Sequence, residues 1–153
     1  MSKASKRLAE LGIELPHPPK PVASYVPFKS HKGMVFCSGQ LPFINGELNA
    51  KGVCGAGVDV ATAKQAARIA AINAIAVLAE GAGGIDNIDH ILRLTGYVAA
   101  TPDFTEHPAV INGASEVFQE IFGDGGVHSR AAVGVSSLPL GSCVEIDAIA
   151  ATK

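Results

Sequence analysis

The chain has 153 residues, of which 48% are hydrophobic and 17% are charged, and its formal net charge is −2. This apolar content excludes a disordered protein, the lack of a basic excess argues against a nucleic-acid partner, and no apolar run reaches the length of a membrane span. A chain of this length is expected to form one domain that buries roughly 70% of the surface of the unfolded chain.

The N-terminal region is predicted to precede the main domain. Residues 2–12 have the pattern of a short amphipathic helix that ends at Gly12, and the prolines that follow favour an extended connector. We therefore divide the chain into an N-terminal helix with a Pro-rich connector, residues 1–21, and a single domain, residues 22–153. The first segment carries basic residues but lacks the apolar stretch of a secretory signal, which predicts a cytoplasmic protein.

The main domain begins with strands and continues with alternating helices and strands. Two strands are predicted at residues 23–28 and 33–39, around a polar turn of Ser30, His31 and Lys32. A Gly- and Asn-bearing loop follows, with a small hairpin at Asn45-Gly46. The remaining elements are helices at residues 58–80 and 105–122 and strands at residues 90–99, 130–136 and 143–151.

This order predicts an α/β (α+β) fold with one mixed sheet and two helices on one face. Two helices leave the other face of the sheet uncovered. Alternation along the last strands assigns small or mixed residues to that face, namely Ala132, Gly134, Ser136, Cys143 and Ile149. Because such a face is too apolar to stay in water, we predict that it packs against the same face of other copies in a closed oligomer.

The last two strands carry charged residues where a core strand would be apolar. Arg130 begins the first of them, and Glu145 and Asp147 share one face of the second. If the two strands form a hairpin around the turn at residues 138–141, the guanidinium group and the carboxylates come near one another. A structural ion pair is the simpler interpretation of this spacing, and a ligand site is the alternative.

The second predicted helix contains an unfavourable pair, Asn112-Gly113. Both residues are poor helix formers, and a local inconsistency of this kind can mark a functional or close-packed position. The helical phase places Asn112 away from the apolar face of its own helix. Two interpretations therefore stay open for Asn112: simple exposure to solvent, or a contact at an interface.

The cysteines and histidines predict neither disulfides nor a metal site. Three cysteines, an odd number at wide spacing, are expected to remain reduced thiols. Cys37 and Cys143 lie within predicted strands as small buried residues, whereas Cys54, in the Gly-rich loop, is the best candidate for a reactive thiol. The five histidines show no ligand spacing, so no metal is predicted.

Several segments, in this order and spacing, resemble one known family. They are A-S-Y-V-P-F (23–28), M-V-F-C-S-G-Q-L-P (34–42), D-F (103–104) leading to Asn112, S-R-A-A-V (129–133) and V-E-I-D-A-I-A (144–150). From about residue 22 onwards, the chain resembles a divergent side branch of the RidA/YjgF family of reactive-intermediate (enamine/imine) deaminases, whose older label is L-PSP endoribonuclease. The resemblance implies a chorismate-mutase-like fold and a homotrimer with sites at the subunit interfaces.

The resemblance also implies roles for individual residues. Arg130 matches the arginine that grips the substrate carboxylate, and Glu145 matches the glutamate that positions a water molecule. The implied substrate-binding residues are Tyr25, Ser38, Gly39, Asn112 and Ala132. This chain departs from the archetype at two positions, since Ala132 stands in place of a cysteine and Asp147 in place of a second glutamate.

The function implied is the hydrolytic deamination of 2-imino or 2-enamino acids to 2-oxo acids and ammonia. An arginine fork suits a planar carboxylate, and one carboxylate can move the protons of the attacking water, so no cofactor is expected. One alternative is a module that binds small carboxylates without turnover. The other is an endoribonuclease, which the low basicity and the scarcity of aromatic residues argue against.

Overall fold

The structure is a computed structural model that describes residues 3–18, 20 and 24–153. Its three α-helices are α1 (Ala4–Leu11), α2 (Val60–Gly81) and α3 (His107–Phe122). The strands are β1 (Phe28–His31), β2 (Met34–Cys37), β3 (Phe43–Ile44), β4 (Glu47–Leu48), β5 (Val53–Cys54), β6 (Gly57–Val58), β7 (Ile88–Ala99), β8 (Ser129–Val135) and β9 (Val144–Thr152). No helix in these ranges is long and apolar enough to cross a bilayer.

A five-stranded sheet organises the domain, with the strand order β1-β2-β9-β7-β8. All neighbours are antiparallel except β7 and β8, which are parallel, so the predicted mixed sheet is confirmed. The parallel pair follows from the connection: α3 links β7 to β8, and a helical crossover returns the chain to the same end of the sheet.

The predicted hairpin of the last two strands is wrong, because β7 lies between β8 and β9. Arg130 on β8 lies beside Leu94 of β7, and Leu94 in turn lies beside Ala148 of β9. The place between the last two strands is thus occupied by β7, a segment that precedes both of them in sequence. The turn between β8 and β9 carries the chain across the end of β7.

Two tight turns explain the boundaries of the first four strands. Of the residues predicted as a polar turn, Ser30 and His31 belong instead to β1, and Lys32 forms the turn with Gly33, with φ of 47° and 75°. Positive φ at both residues is the requirement of the two-residue hairpin turn that fits the twist of a sheet. The same geometry at Asn45-Gly46 confirms the small hairpin predicted there. Of the predicted strand at 23–28, residue 23 lies outside the described part of the chain, residues 24–27 precede the first strand, and only Phe28 belongs to β1.

The helices pack on one face of the sheet and on each other. The inner surface of α2 is built from alanines that are completely buried: Ala63, Ala66, Ala67, Ala70, Ala71 and Ala74. Their small side chains let α2 and α3 approach closely, and at Gly113 the approach is closest. A Cβ atom built on Gly113 would overlap the backbone carbonyl oxygen of Lys64. This contact accounts for a glycine inside α3.

The N-terminal helix is anchored to the rest of the domain. α1 contacts α3 through a face that includes the buried Leu8, and its first turn is tied to the segment before β7. The backbone N–H and the hydroxyl of Ser5 donate to the carboxylate of Asp86 at 3.0 and 2.7 Å. The predicted end of the helix at Gly12 is confirmed, with a φ of 64°.

The other face of the sheet is left uncovered by the described residues of this chain. Glu145, Asp147 and Ile149 of β9 point to it, since their neighbours Val144, Ile146 and Ala148 are buried beneath the helices. Phe36 and Val133, on flanking strands, are 39% and 42% exposed. We call this surface the open face.

Three residues assigned to the open face from the sequence do not lie on it. Ala132 packs against the core, Cys143 is completely buried, and a Cβ atom on Gly134 would clash with the imidazole of His107 on α3. Alternation correctly separated Ala132 and Gly134 from Val133. It could not indicate which of the two sets the helices cover.

Candidate functional site

The side chain of Arg130 leaves the start of β8 towards α3. Its Nη1 atom donates to Asn112 Oδ1 at 2.9 Å and to Ser115 Oγ at 3.1 Å. These two residues are one helical turn apart and therefore share a face of α3. Asn112 is exposed, as its helical phase predicted, but it is also bonded to the residue predicted to bind a carboxylate.

Arg130 forms no ion pair with any acidic side chain of the described residues. The interpretation of Arg130 as the partner of Glu145 or Asp147 within one chain is therefore wrong. Those carboxylates lie on β9, two strands away, and they point to the open face, whereas Arg130 reaches α3.

His128 completes the surroundings of Arg130. Its Nδ1 atom lies 2.6 Å from the carbonyl oxygen of Gly126, and its Nε2 atom lies 2.9 Å from Ser115 Oγ. Burial lowers the pKa of His128, the hydrogen bond to the Gly126 carbonyl opposes this decrease, and the charge of Arg130 contributes a smaller decrease. The imidazole is accordingly neutral at pH 7.

A second group of predicted residues lies on and beside the open face. A Cβ atom on Gly39 would overlap the carboxylate of Glu145, so the absence of a side chain at Gly39 makes room for that carboxylate. Tyr97, on β7, donates its hydroxyl to Asp147 at 2.8 Å. Burial raises the pKa of Glu145, and the negative charge of Asp147 adds to the increase.

Ser38 directly follows β2 and bonds to the segment before β1 that carries Tyr25. The hydroxyl of Ser38 donates to the carbonyl of Val26 at 2.7 Å, and its N–H donates to the carbonyl of Pro27 at 2.8 Å. Ser38 thus fixes the segment that carries Tyr25, whose side chain is 59% exposed. A hydroxyl used in this way supports the position of Tyr25.

The predicted site residues therefore form two groups. Arg130 and Asn112, with Ala132 next to them on β8, lie on the helix side of the edge strand. Ser38, Gly39 and Glu145 lie at the open face. The structure brings residues together within each group, but it does not bring Arg130 and Glu145 together in one chain.

Two nearby polar residues were missed from the sequence, Ser115 and His128. Ser115 stands three positions after Asn112 on the same helix, and His128 stands two positions before Arg130 on an extended segment, which places each on the same side as a predicted residue. That spacing can be read from the sequence. The contact between α3 and the segment before β8 cannot be read from it.

The pKa of Glu145 leads to an expected pH dependence of stability. Because the pKa is higher in the folded state than the 4.5 of a free glutamate, the folded chain binds more protons in that window, and stability falls as pH rises through it. We expect Glu145→Gln to be more stable than the wild type at pH 7 and to converge with it below pH 4.5. Urea unfolding between pH 4 and 7 measures the difference. The exposed Glu47→Gln variant is the control, and an equal pH dependence in both variants would contradict the assignment.

The cysteines correct one expectation about reactivity. Cys54 is completely buried, and burial raises its pKa, with a further increase from the charge of Asp59. Burial also raises the pKa of Cys37 to about 12 and that of Cys143 to about 11. A thiol is reactive as the thiolate, so Cys54 is not a reactive residue, although its loop is rich in glycine. Among the described residues there is also no group of His, Cys, Asp and Glu side chains that could hold a metal ion.

These features define a class of small α/β proteins with a mixed sheet, helices on one face and an unneutralised arginine on the edge strand. The sequence model of the family described as "YjgF/chorismate mutase-like, putative endoribonuclease" matches residues 5–151. The chain belongs to the YjgF/chorismate mutase-like family, which confirms both the resemblance and the fold predicted from it.

Solved structures agree with this assignment. A protein of unknown function from Agrobacterium tumefaciens is 42% identical, with 98% of this chain and 92% of that chain covered and a TM-score of 0.89. A protein from Shewanella oneidensis MR-1, described as a "putative endoribonuclease", is 33% identical over 98% of this chain and 99% of its own, with a TM-score of 0.93. Escherichia coli TdcF, solved with bound serine, is 26% identical over 90% and 94%, with a TM-score of 0.66.

Proposed function

We propose that this protein hydrolyses reactive 2-imino or 2-enamino acids to 2-oxo acids and ammonia, as a homotrimer with its sites between subunits. The observation that carries the proposal is the state of Arg130. Its two described partners, Asn112 and Ser115, are neutral and both bond to Nη1. The edge formed by Nη2 and Nε is thereby left for a substrate carboxylate, which it can bind with two parallel charge-assisted hydrogen bonds.

The known ligand of a family member supports the substrate class. Escherichia coli TdcF was solved with serine, a small amino acid with a free carboxylate. A 2-imino acid is a planar analogue that keeps this carboxylate. Arg130 is the residue of the present chain whose geometry suits such a group.

The separation of Arg130 from Glu145 supports an assembly. Since the two side chains lie on different sides of the sheet, one site can contain both only if they come from different subunits. The open face carries Phe36 and Val133, whose exposure a second copy would reduce. A closed ring of three copies satisfies both conditions. Light scattering after size exclusion tests it, and a monomer at micromolar concentration would contradict it.

The chemistry needs one carboxylate besides the anchor. With the substrate carboxylate on Arg130, a water molecule adds to the C=N carbon, and the partner subunit's Glu145 accepts a proton from that water. The proton passes to the nitrogen, which gives a carbinolamine. Glu145 then accepts the proton of the new hydroxyl group and returns it to the amino nitrogen, the C–N bond breaks, and ammonia leaves with the former C=N carbon as a ketone. The pKa of Glu145 is raised towards the working pH, which suits a group that accepts and returns a proton.

A coupled assay tests this function. A threonine or serine dehydratase generates the imine beside the purified protein, and formation of the 2-oxo acid is followed while semicarbazide competes for the imine. We expect the protein to accelerate 2-oxo acid formation and to reduce the semicarbazide adduct. Binding of 2-oxobutyrate without acceleration for several parent amino acids would favour a module that binds carboxylates without turnover, a role that the loss of the archetypal cysteine at Ala132 would fit.

A further inference from the structure

Two polar side chains connect Arg130 to the backbone of the short turn that follows α3. Ser115 contacts Arg130, His128 contacts Ser115, and the last contact is the carbonyl of Gly126. We propose that Ser115 and His128 are positioning residues, which form a hydrogen-bond chain of fixed direction and hold the Arg130 guanidinium group in the orientation that receives a carboxylate. This inference rests on the proposed role of Arg130 as the carboxylate anchor.

The direction of the chain follows from its last member. A backbone carbonyl can only accept, so the contact of 2.6 Å between Gly126 and His128 requires the proton on Nδ1. The neutral imidazole then has a free lone pair on Nε2, which accepts the hydroxyl proton of Ser115 at 2.9 Å. The oxygen of Ser115 is left as an acceptor, and it accepts from Arg130 Nη1 at 3.1 Å.

The opposite direction is disfavoured by charge. If His128 carried a second proton, its Nε2 would donate to Ser115, and one hydroxyl oxygen would bridge an imidazolium and a guanidinium. Burial and the charge of Arg130 both act against that state. The ring is also fixed in its plane, because Phe118 packs against it with ring centres 5.7 Å apart and an angle of 65°.

The hydrogen-bond chain controls which edge of the guanidinium group stays free. Nη1 has two hydrogens, and Asn112 and Ser115 take one each. With only one of these partners, the guanidinium group could turn about the Cδ–Nε bond and present its Nη2–Nε edge in a different plane. With both, the Nη2–Nε edge is held in one plane, and a ligand carboxylate no longer has to order it.

The test compares carboxylate binding in matched variants by titration calorimetry, with 2-oxobutyrate as the probe. Ser115→Ala removes the bridging hydroxyl, and His128→Phe keeps an aromatic ring against Phe118 while it removes both nitrogens. Each is expected to bind 2-oxobutyrate about tenfold more weakly, which is the effect of losing one hydrogen bond to a charged group. Ser115→Thr, which keeps the hydroxyl, and Ser129→Ala, which loses a hydroxyl bonded to the carbonyl of Leu92, should bind like the wild type.

A second measurement tests the direction of the hydrogen-bond chain without any ligand. Nitrogen-15 NMR of the imidazole at neutral pH should show His128 protonated on Nδ1 and bare on Nε2. The Nε2-protonated form, or wild-type affinity in Ser115→Ala, would overturn the inference. A wild-type protein that binds 2-oxobutyrate but does not accelerate imine hydrolysis would refute the deaminase proposal, and the affinities of the variants would still decide this inference. If the wild type does not bind 2-oxobutyrate, the anchor role fails and the inference with it.

Discussion

The Arg130→Ala variant is expected to lose the acceleration of imine hydrolysis and to bind 2-oxobutyrate roughly 100-fold more weakly than the wild type. The estimate takes about 1.5 kcal/mol for each of two charge-assisted hydrogen bonds, or about 3 kcal/mol in all. The fold should survive, since Arg130 is only half-buried and its two partners are polar groups at the edge of the domain. The coupled imine assay and calorimetry measure the two losses.

Two further variants show whether the loss is specific to the fork of Arg130. Lysine keeps the charge but offers one ammonium group, which cannot bond Asn112 and Ser115 and still present two parallel donors. Arg130→Lys should therefore fall between alanine and the wild type. Arg68→Ala is the matched control, because Arg68 pairs with Glu120 on the outside of the two long helices. Equal activity in Arg130→Ala and Arg68→Ala would refute the anchor.

The Gly113→Ala variant is expected to reduce the free energy of unfolding by about 3 kcal/mol, the upper part of the range for overpacked sites. The sign of this change in the free energy of unfolding is informative, because alanine is ordinarily favoured over glycine in a helix by about 1 kcal/mol. At this position the added methyl group would overlap the carbonyl oxygen of Lys64. Backbone cannot rotate away as a side chain does, so α2 and α3 must separate.

Urea unfolding with a paired control measures this effect. Gln119 is exposed on the same helix, so Gln119→Ala should be more stable than Gln119→Gly. An inverted order at position 113 and the ordinary order at position 119 would locate the cause in the helix contact. If Gly113→Ala were as stable as the wild type, the close approach of the two helices would be refuted.

Local sequence patterns predicted most elements of this fold, but they did not predict which strands are neighbours. Periodicity identified the two long helices, and the Asn45-Gly46 pair identified a hairpin, because both signals depend on residues close in sequence. The hairpin between β8 and β9 was predicted in error for the same reason. A short turn favours pairing of the strands it joins, and only the whole sheet shows that β7 already occupies the place between them.

The candidate site was predictable to a similar extent. Arg130 and Glu145 were singled out by their charge and by the family resemblance, yet alternation alone could not show that they belong to different sides of the sheet. Asn112-Gly113 was recognised as inconsistent with a helix, and the structure gives each residue its own reason. Gly113 allows the contact with Lys64, and Asn112 bonds to Arg130.

The placement of Arg130 and Glu145 on different sides of the sheet has a consequence for mixtures of defective subunits. In a ring where each site takes its arginine from one protomer and its glutamate from the next, Arg130→Ala and Glu145→Gln are each inactive alone. Refolded together, the two variants form mixed rings in which one junction has both intact side chains. A mixture of two inactive variants should then show activity, and this complementation would show that each site is built by two subunits.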